Sequence, residues 1–367
     1  MNFGFWTGRR VFLTGHTGFK GSWLSLWLQR LGSQVVGYAQ APPTQPDMFT
    51  AAGVQHGMRS ILGDVCDGAH LQCALKDAQP EVVIHLAAQP LVRLSYAEPV
   101  ETYATNVMGT VNLLEAVRRT PGVRAVVCVT SDKCYENHGN EAAYRESDPM
   151  GGHDPYSSSK GCAELICAAY RHSYFHPSRH RDHGVALATA RAGNVIGGGD
   201  WAQDRLVPDT LRAFEIAEAV RLRHPNSVRP WQHVLEPLRG YLMLAERLYK
   251  DGPAFSDGWN FGSLPEDAKP VSWIVGEMAR RWPGGAKWEA APGPHPHEAS
   301  HLQLDIEKAA RHLAWTPALR LSDALDLVIR WADAYRNCED MRSITLGQIA
   351  AYEALLGKLT GADHAKH

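Results

Sequence analysis

The sequence predicts an α/β protein with a doubly wound parallel sheet (Rossmann-like) and a smaller, irregular C-terminal domain. Short apolar runs alternate with amphipathic helical patterns through the first half, as in parallel sheets that are covered by helices on both faces. A glycine-rich loop follows the first apolar run, Val11–Thr14. Beyond about residue 195, proline, glycine and tryptophan become frequent and the alternation fades.

Six strands and three helices are predicted in the first half. The strand patterns cover residues 11–14, 34–39, 59–65, 82–88, 124–131 and 184–197. The helical patterns cover residues 22–32, 100–119 and 157–175. In the first helix Trp23, Leu24, Trp27, Leu28 and Leu31 recur at helical spacing, and Gly32 is a suitable stop. One return to the sheet is predicted near residues 253–263.

Composition narrows the class of protein. The chain has 367 residues, 44% of them hydrophobic, and a net charge of −2. This balance argues against a general nucleic-acid surface, which needs clustered positive charge. No run approaches the roughly 18 apolar residues of a membrane span, and the N-terminus lacks a signal-peptide core. We therefore expect a soluble, cytoplasmic protein.

Seven cysteines form no C-x-x-C pair, so neither a zinc site nor a disulfide framework is predicted. Reduced thiols fit the cytoplasmic assignment. His295, His297 and His301 could suggest a metal. Proline separates the first two and no acid stands in clear register, so we interpret this stretch as a loop of the second domain and predict no metal.

The loop between the first strand and the first helix has the spacing Gly15-x-x-Gly18-x-x-Gly21. Glycines at these positions allow a tight turn, close approach to a pyrophosphate and packing of helix on sheet. The helix N-terminus offers free N–H groups and a positive dipole end to phosphates. The loop predicts dinucleotide binding.

Two further strand ends complete the predicted cofactor site. Asp64 could accept a hydrogen bond from an adenine amino group, with Val65 offering its backbone. The second strand ends without the acid that holds the adenosine ribose in many such sites. This feature alone does not decide between NAD and NADP, because Lys20 or His16 could bind the 2′-phosphate of NADP. The predicted cofactor contacts are Gly15, His16, Thr17, Gly18, Phe19, Lys20, Gly21, Asp64, Val65, Leu86, Ala87, Ala88, Gln89, Asn106, Tyr156 and Lys160.

Tyr156 and Lys160 are one helical turn apart, so a phenol and an ammonium share a helix face. Such a lysine should lower the phenol pKa by favouring phenolate, and a nicotinamide cation would add to this effect. A tyrosine tuned in this way can take a proton from a sugar hydroxyl. Ser131, at the end of the preceding strand, could share that proton.

Together these residues resemble the extended short-chain dehydrogenase/reductase family (NAD-dependent epimerases and dehydratases), which acts mainly on nucleotide sugars. Longer strings resemble the CDP-glucose 4,6-dehydratase group of that family. The matching strings are GHTGFKGSWLSLWL, TSDKCYEN, DPMGGHDPYSSSKG, RAGNVIGGGDWAQDRLVPD, RPWQHVLEPLRGYL, WNFG and HEASHLQLD.

The resemblance implies a lyase that converts CDP-D-glucose to CDP-4-dehydro-6-deoxy-D-glucose and water, with NAD+ reduced and reoxidised within one turnover, in deoxysugar and surface polysaccharide (lipopolysaccharide) biosynthesis. The implied catalytic residues are Ser131, Asp132, Lys133, Tyr156 and Lys160. Related enzymes carry an Asp-Glu pair where this sequence has Asp132-Lys133. Asp132 is the expected acid. Lys133 would be the C5 base if burial made it neutral; otherwise it would stabilise an enolate, with Glu136 or water as the base.

For the nucleotide, the resemblance implies contacts from Arg191, Asn194, Leu206, Arg229 and Trp231. Arg229 suits the pyrophosphate, because a guanidinium fork matches phosphate oxygens. The implied NAD-binding domain covers residues 1–190 plus about 230–262. The implied nucleotide-sugar domain covers about 191–229 plus 263–356, and residues 357–367 form a tail, expected to be disordered.

Two rival functions are weighed. A 4-epimerase would need Tyr156 and Ser131 but no acid for C6, so Asp132 favours dehydration. A non-catalytic NAD(P) sensor would often lose the tyrosine or lysine, and both are present. CDP in place of other nucleotides rests on the resemblance alone.

Helices at 100–119 and 157–175 carry apolar residues on more than one face. In this family such helices pair between subunits, which implies a homodimer or a dimer of dimers.

Overall fold

The structure is a computed structural model, and it describes residues 2–137, 142–291 and 302–364. The strands are β1 (Arg10–Thr14), β2 (Gln34–Ala39), β3 (Arg59–Leu62), β4 (Val82–His85), β5 (Ala125–Val129), β6 (Ala186–Arg191), β7 (Val195–Ile196), β8 (Val220–Leu222), β9 (Val228–Pro230), β10 (Gln232–His233), β11 (Gly258–Asn260), β12 (Ala268–Pro270) and β13 (Trp288–Ala290).

The α-helices are α1 (Phe19–Arg30), α2 (Met48–Ala51), α3 (Gly68–Ala78), α4 (Val92–Ala97), α5 (Pro99–Tyr103), α6 (Gly109–Arg118), α7 (Pro155–Ser173), α8 (His180–His183), α9 (Leu206–Glu215), α10 (Leu235–Asp251), α11 (Val271–Arg281), α12 (Glu307–Leu313), α13 (Leu321–Arg336) and α14 (Met341–His364). Short 3₁₀ turns connect several of these elements, and one of them covers Asp132–Cys134.

Seven parallel strands form the central sheet, in the order β11-β6-β5-β4-β1-β2-β3. The predicted doubly wound fold is therefore confirmed, including the late return to the sheet, which is β11. Strand order reverses between β1 and β4, and in open α/β sheets ligands bind in the crevice at such a point.

The strand sequences explain why both faces of the sheet are covered. Every residue of β4 and β5 is buried. In β1, Val11 and Leu13 pack in one core while Phe12 packs in the other, because successive side chains of a strand point to opposite faces. The first core also includes residues of α1, α10 and α14, and the second includes residues of α3, α6 and α7.

Helix α7 begins where the sequence supplies a cap. Asp154 accepts a hydrogen bond from the Ser157 N–H at 2.9 Å, and Pro155 occupies the first helical position, where no N–H is required. The start of the helix is therefore fixed locally. This start sets the heights of Tyr156 and Lys160 above the sheet edge.

In the first half the structure departs from the predicted elements in three ways. Helices α2, α3, α4 and α8 were not predicted. The helix predicted at 100–119 is α5, a π-helical segment (Ala104–Met108) and α6. The strand predicted at 184–197 divides into β6 and β7, because Asn194 between them has φ +48° and cannot continue an extended strand.

The C-terminal half has more helix than its composition suggests. Helices α9, α11 and α13 pack around a third core that includes Val207, Ile274, Met278, Leu325 and Val328. Proline and glycine are frequent in the loops of this half and also occur within α9 (Pro208) and α11 (Gly276), so their frequency hid the helices. The predicted limits of the two domains stay a prediction.

The predicted tail is partly ordered, since α14 continues to His364. Residues 365–367 lie outside the described residues, as do His295, His297 and His301.

Glu236 on α10 fastens C-terminal segments to the sheet domain. Its buried carboxylate accepts hydrogen bonds from the N–H groups of Ala318 and Leu319 (2.9 and 2.7 Å) and from the Tyr352 hydroxyl (2.7 Å). Arg239 lies 3.7 Å from the same carboxylate.

We expect Glu236→Gln to lower the free energy of unfolding by about 1–3 kcal/mol, because an amide cannot satisfy all these buried donors. Urea unfolding followed by circular dichroism would measure this change. The surface variant Glu218→Gln is the control, and equal stability of the two variants would contradict the role of Glu236.

Candidate active site

The predicted site residues gather at the carboxyl ends of β1, β4, β5 and β6. The glycine loop follows β1, Ala87–Gln89 follow β4, Ser131 and Asp132 follow β5, and Tyr156 and Lys160 come from α7. Parallel strands bring these ends to one edge. The sequence prediction placed these elements correctly relative to one another.

The glycine loop has the geometry of a phosphate cradle. Gly15 has φ +75°, and a Cβ there would lie 2.7 Å from the Ala87 nitrogen. A Cβ on Gly21 would overlap the Gly15 carbonyl. Gly18 caps α1 without a side-chain hydrogen bond, so no side chain covers the first N–H groups of that helix. These residues fit a dinucleotide pyrophosphate.

His16 is not placed to meet a 2′-phosphate. It is fully buried, its Nε2 lies 2.7 Å from the Ser60 hydroxyl, and burial lowers its pKa to about 4. A neutral imidazole offers no charge to a phosphate. The ring occupies space beside Gly37, where a Cβ would overlap it.

Lys20 also differs from its predicted alternative role. Burial lowers its pKa to about 8, and the charges that act on it are those of Arg205, Asp132, Lys160 and Asp200. It therefore belongs to the catalytic side of the loop and not to the adenosine ribose. The sequence motif marked it as a cofactor residue but gave no sign of this orientation.

An acid does lie beside the end of β2, although β2 itself does not supply it. The Asp64 carboxylate accepts hydrogen bonds from the Gln40 amide at 2.9 Å and from the Cys66 N–H at 2.8 Å. Val65 is buried behind it, and its carbonyl accepts a hydrogen bond from Asn112. The negative charge that the sequence seemed to lack comes from the loop after β3.

Asn106 ties the end of β4 to α7. Its side chain accepts from the Gln89 N–H at 2.8 Å and donates to the Gln89 carbonyl and to the Ser159 hydroxyl at 3.0 and 2.9 Å. The π-helical segment places this side chain there, and such segments are frequent at functional sites. Leu86 and Ala87 donate to the Thr14 hydroxyl, both at 3.2 Å.

Ser131, Asp132 and Tyr156 form the centre of the site, and all three are buried. The Ser131 hydroxyl donates to the Asp132 carboxylate at 2.9 Å, and Ser131 also acts to lower the pKa of the nearby Tyr156 phenol. A Cβ on Gly193 would overlap the Asp132 carboxylate. Glycine at 193 therefore makes the space in which the acid stands.

The electrostatics of the tyrosine-lysine pair differ from the prediction. Burial raises the pKa of Tyr156 to about 12, and the hydrogen bond with Ser131 and the charge of Arg205 act in the opposite direction. Burial lowers the pKa of Lys160 to about 8. The Lys160 ammonium lies 6.0 Å from the Tyr156 ring centroid. Ser131 and Arg205 are thus two groups that favour the phenolate form of Tyr156 against the effect of burial.

Lys133 is exposed, so the prediction that it is buried beside Lys160 is wrong. Its N–H donates to the Ser131 hydroxyl at 3.2 Å, and the 3₁₀ turn after β5 directs its side chain away from the core. Glu136 is half-buried and packs against Gly151, where a Cβ would lie 3.0 Å from the glutamate Cβ.

Arg191 does not fit its predicted role as a nucleotide ligand. It is 4% exposed, and its Nε and Nη2 donate to Glu164 at 3.0 and 2.8 Å. Its Nη1 donates to the Tyr135 hydroxyl at 2.6 Å and to the Glu146 carbonyl at 3.2 Å. These bonds turn the guanidinium into the core, and sequence alone cannot show which way a strand-end arginine points.

The other predicted nucleotide contacts lie beyond β6. Asn194 is half-buried in the left-handed conformation, and Arg229 is half-buried on β9. Trp231 is buried, and its indole N–H has no acceptor among the residues that the structure describes. Leu206 begins α9.

Sequence reasoning missed a charged pair beside the catalytic centre. Arg205 donates to the Asp200 carboxylate at 2.9 Å, and its charge acts on both Lys20 and Tyr156. The charged residues of the string GGGDWAQDR were the available signal. Glu164, the partner of Arg191, was also missed.

Within the described residues, no group of three or more histidine, cysteine, aspartate or glutamate side chains is arranged to hold a metal ion. The same residues include no helix with the length and apolarity needed to cross a bilayer.

Comparison with known proteins agrees with this geometry. Residues 11–256 match the model of the NAD dependent epimerase/dehydratase family. The chain is 53% identical over 348 residues to the CDP-glucose 4,6-dehydratase of Salmonella typhimurium. The aligned residues cover 95% of this chain and 97% of the relative. It is 27% identical over 298 residues to a dTDP-glucose 4,6-dehydratase of Streptomyces griseus, covering 80% and 83% of the two chains.

Solved structures show the same fold. MoeE5 in complex with UDP-glucuronic acid and NAD superposes with a TM-score of 0.73 at 26% identity, covering 89% of this chain and 99% of that one. The dTDP-glucose 4,6-dehydratase of Bacillus anthracis, in complex with NAD, gives a TM-score of 0.71 at 20% identity, with coverage of 90% and 98%.

Proposed function

The chain belongs to the NAD dependent epimerase/dehydratase family, and we propose that it converts CDP-D-glucose to CDP-4-dehydro-6-deoxy-D-glucose and water. The observation that carries the proposal is the buried cluster of Ser131, Asp132 and Tyr156 beside Lys160, at the mouth of a dinucleotide cradle. CDP as the nucleotide is supported by the 53% identical Salmonella typhimurium relative.

NAD is the proposed cofactor. The tight Gly15 turn and the uncapped start of α1 would hold the pyrophosphate, and Asn106 positions Gln89 at the crevice. The Asp64 carboxylate beside Gln40 favours NAD over NADP. If the adenosine ribose binds here, the 2′-phosphate of NADP would be repelled by this carboxylate, because both groups are negative.

When bound, NAD+ would accept a hydride from C4 of the sugar and later return it to C6. Tyr156 takes the proton of the C4 hydroxyl, and Ser131, which hydrogen-bonds with it, shares that proton. The positive charges of Lys160 and Arg205 favour the phenolate when the tyrosine gives up its own proton. Burial of the site excludes water from this exchange.

Asp132 is the proposed acid for the departing C6 hydroxyl. An epimerase of the same family requires no such group, whereas loss of water from C6 requires a proton on the leaving oxygen. Asp132 is 3% exposed and Ser131 holds its carboxylate at the centre of the site. This position favours a dehydratase over an epimerase.

Exposure of Lys133 changes the proposal for the proton at C5. A lysine base requires burial to become neutral, and the Lys133 side chain lacks that burial because it is exposed. We therefore propose that Lys133 stabilises the enolate oxygen and that the half-buried Glu136 removes the C5 proton. Arg229 and Asn194 stay as proposed contacts of the pyrophosphate and sugar, with Leu206 and Trp231 near the nucleotide.

A homodimer or a dimer of dimers is proposed from an apolar face on α4–α7. Its exposed residues include Tyr96 (66%), Val100 (82%), Met108 (51%) and Leu165 (61%). A face of this kind is costly in water and is typical of a subunit interface.

We propose the cytoplasm as the location, because all seven cysteines are free and the substrate is a nucleotide sugar. We propose a role in deoxysugar and surface polysaccharide biosynthesis, because the proposed product is a 6-deoxy nucleotide sugar.

We expect turnover of CDP-glucose with added NAD+, seen as the alkali-induced ultraviolet absorbance of a 4-keto-6-deoxy sugar. Among the CDP, dTDP, UDP and GDP sugars, CDP-glucose should give the highest kcat/KM. Tyr156→Phe should lower kcat by about 100-fold or more, since it loses the proton acceptor. No absorbance from any of the four sugars, or better turnover with NADP+, would contradict the proposal.

The base at C5 can be identified by solvent exchange. In deuterated buffer, Glu136→Gln should stop incorporation of deuterium at C5, while Lys133→Met should slow turnover but retain incorporation. Mass spectrometry of the product and recovered substrate would measure both. Loss of incorporation in Lys133→Met with retention in Glu136→Gln would reverse the two roles.

The proposed interface predicts that Leu165→Glu yields monomers at micromolar concentration, because it places a charge on the apolar face. Light scattering would measure the mass. Ile216→Glu is the matched control, since Ile216 is equally exposed (65%) but lies at the end of α9. A monomeric mass for the wild-type protein would contradict the proposed homodimer or dimer of dimers.

A further inference from the structure

We infer that Glu164 is a positioning residue that holds the acid-bearing end of β5 in register with the tyrosine-bearing helix α7. Tyr156, Lys160 and Glu164 follow one another at intervals of four residues, so they share one face of α7. All three are buried against the sheet edge. The role of Glu164 rests on the function proposed above.

The contacts of Glu164 reach two strands at once. Its Oε1 accepts from the Thr130 hydroxyl at 2.5 Å, and its Oε2 accepts from the Thr189 hydroxyl at 2.7 Å. Both oxygens also accept from Arg191, at 3.0 and 2.8 Å. Four charge-assisted bonds therefore fix one carboxylate between α7, β5 and β6.

Thr130 immediately precedes Ser131 and Asp132, so the bond to Glu164 anchors the backbone from which the catalytic hydroxyl and acid project. The network continues beyond Arg191 to the Tyr135 hydroxyl, which donates to Asn260 on β11 at 2.7 Å. The turn that contains Asp132 and Lys133 is thus held on both sides. Thr130 precedes it, Tyr135 follows it, and buried hydrogen bonds through Glu164 and Arg191 connect the two.

Glu164 is also a negative charge close to Lys160. Burial lowers the pKa of Lys160, and the charge of Glu164 acts to raise it. The titratable groups around Lys160 come from α1, β4, β5, the 3₁₀ turn and α7, and they include Lys20, His85, Cys128, Cys134, Tyr156, Glu164 and Cys167. Of these, Glu164 is the carboxylate, and Arg191 keeps it ionised by lowering its pKa.

The experiment compares Glu164→Gln with Glu236→Gln, a second buried glutamate with an arginine partner that lies outside the site. Glu164→Gln should lower kcat for the nucleotide sugar by about 10- to 100-fold and change KM by less than about threefold. The alkaline limb of its kcat/KM–pH profile should also shift to lower pH, because Lys160 without its anionic neighbour loses its proton at a lower pH. Glu236→Gln should lose stability without either kinetic change.

Thr130→Val separates positioning from simple loss of charge. It removes the bond to the strand end but leaves the Glu164–Arg191 pair, so kcat should fall while the alkaline limb stays in place. Glu164→Asp, which keeps the charge on a shorter side chain, should restore the alkaline limb and recover kcat only in part. Circular dichroism and melting temperature would show that each variant is folded.

The inference is overturned if folded Glu164→Gln has the kcat and pH profile of Glu236→Gln, or if Thr130→Val retains full kcat. Inactivity of the wild-type protein towards every nucleotide glucose would instead count against the proposed function. In that case fluorescence titration of NAD+ into wild type, Glu164→Gln and Glu236→Gln still reports on the site. Equal NAD+ affinities with equal stabilities of the two variants would then overturn the positioning role as well.

Discussion

Burial of the polar face of α7 against the ends of β5 and β6 is the constraint on which the site depends. A helix that covers a parallel sheet normally presents apolar side chains, but α7 presents Tyr156, Lys160 and Glu164. Burial that lowers a lysine pKa from 10.5 to about 8 corresponds to roughly 3 kcal/mol for holding the charge there. The charge of Glu164 offsets part of this cost, because it acts to raise the pKa of Lys160, and Arg191 and two threonines hold that carboxylate in place.

Much of the fold could be predicted because its signals are local. The buried strands β4 and β5 are continuous apolar runs, and the glycine loop stands between a strand and a helix. The C-terminal helices could not be seen in the same way. Their apolar faces pack on one another around a third core. Proline and glycine are so frequent in this half of the sequence that they obscure the helical periodicity.

The site was predictable by location but not by side-chain direction. Strand ends and the Tyr-x-x-x-Lys spacing placed Ser131, Asp132, Tyr156 and Lys160 together, since parallel strands end at one edge. Arg191 and His16 were misjudged because the direction of each side chain depends on a residue far along the chain: Glu164 for Arg191, and Ser60 for His16. Lys133 was misjudged because the 3₁₀ turn after β5 was not predicted.

Two buried carboxylates in one site can have different tasks when their surroundings differ. Glu164 is held by four charge-assisted bonds and a buried arginine, which lower its pKa and make it a fixed anion. A group held so firmly is a poor proton donor, but it anchors the elements around it. Asp132 stands in the gap left by Gly193 and accepts a bond from the neighbouring Ser131 hydroxyl, which itself can donate or accept. Among the described residues no arginine fork fixes that carboxyl by hydrogen bonds, and it lies at the centre of the site, where the departing C6 hydroxyl of the proposed reaction would need an acid.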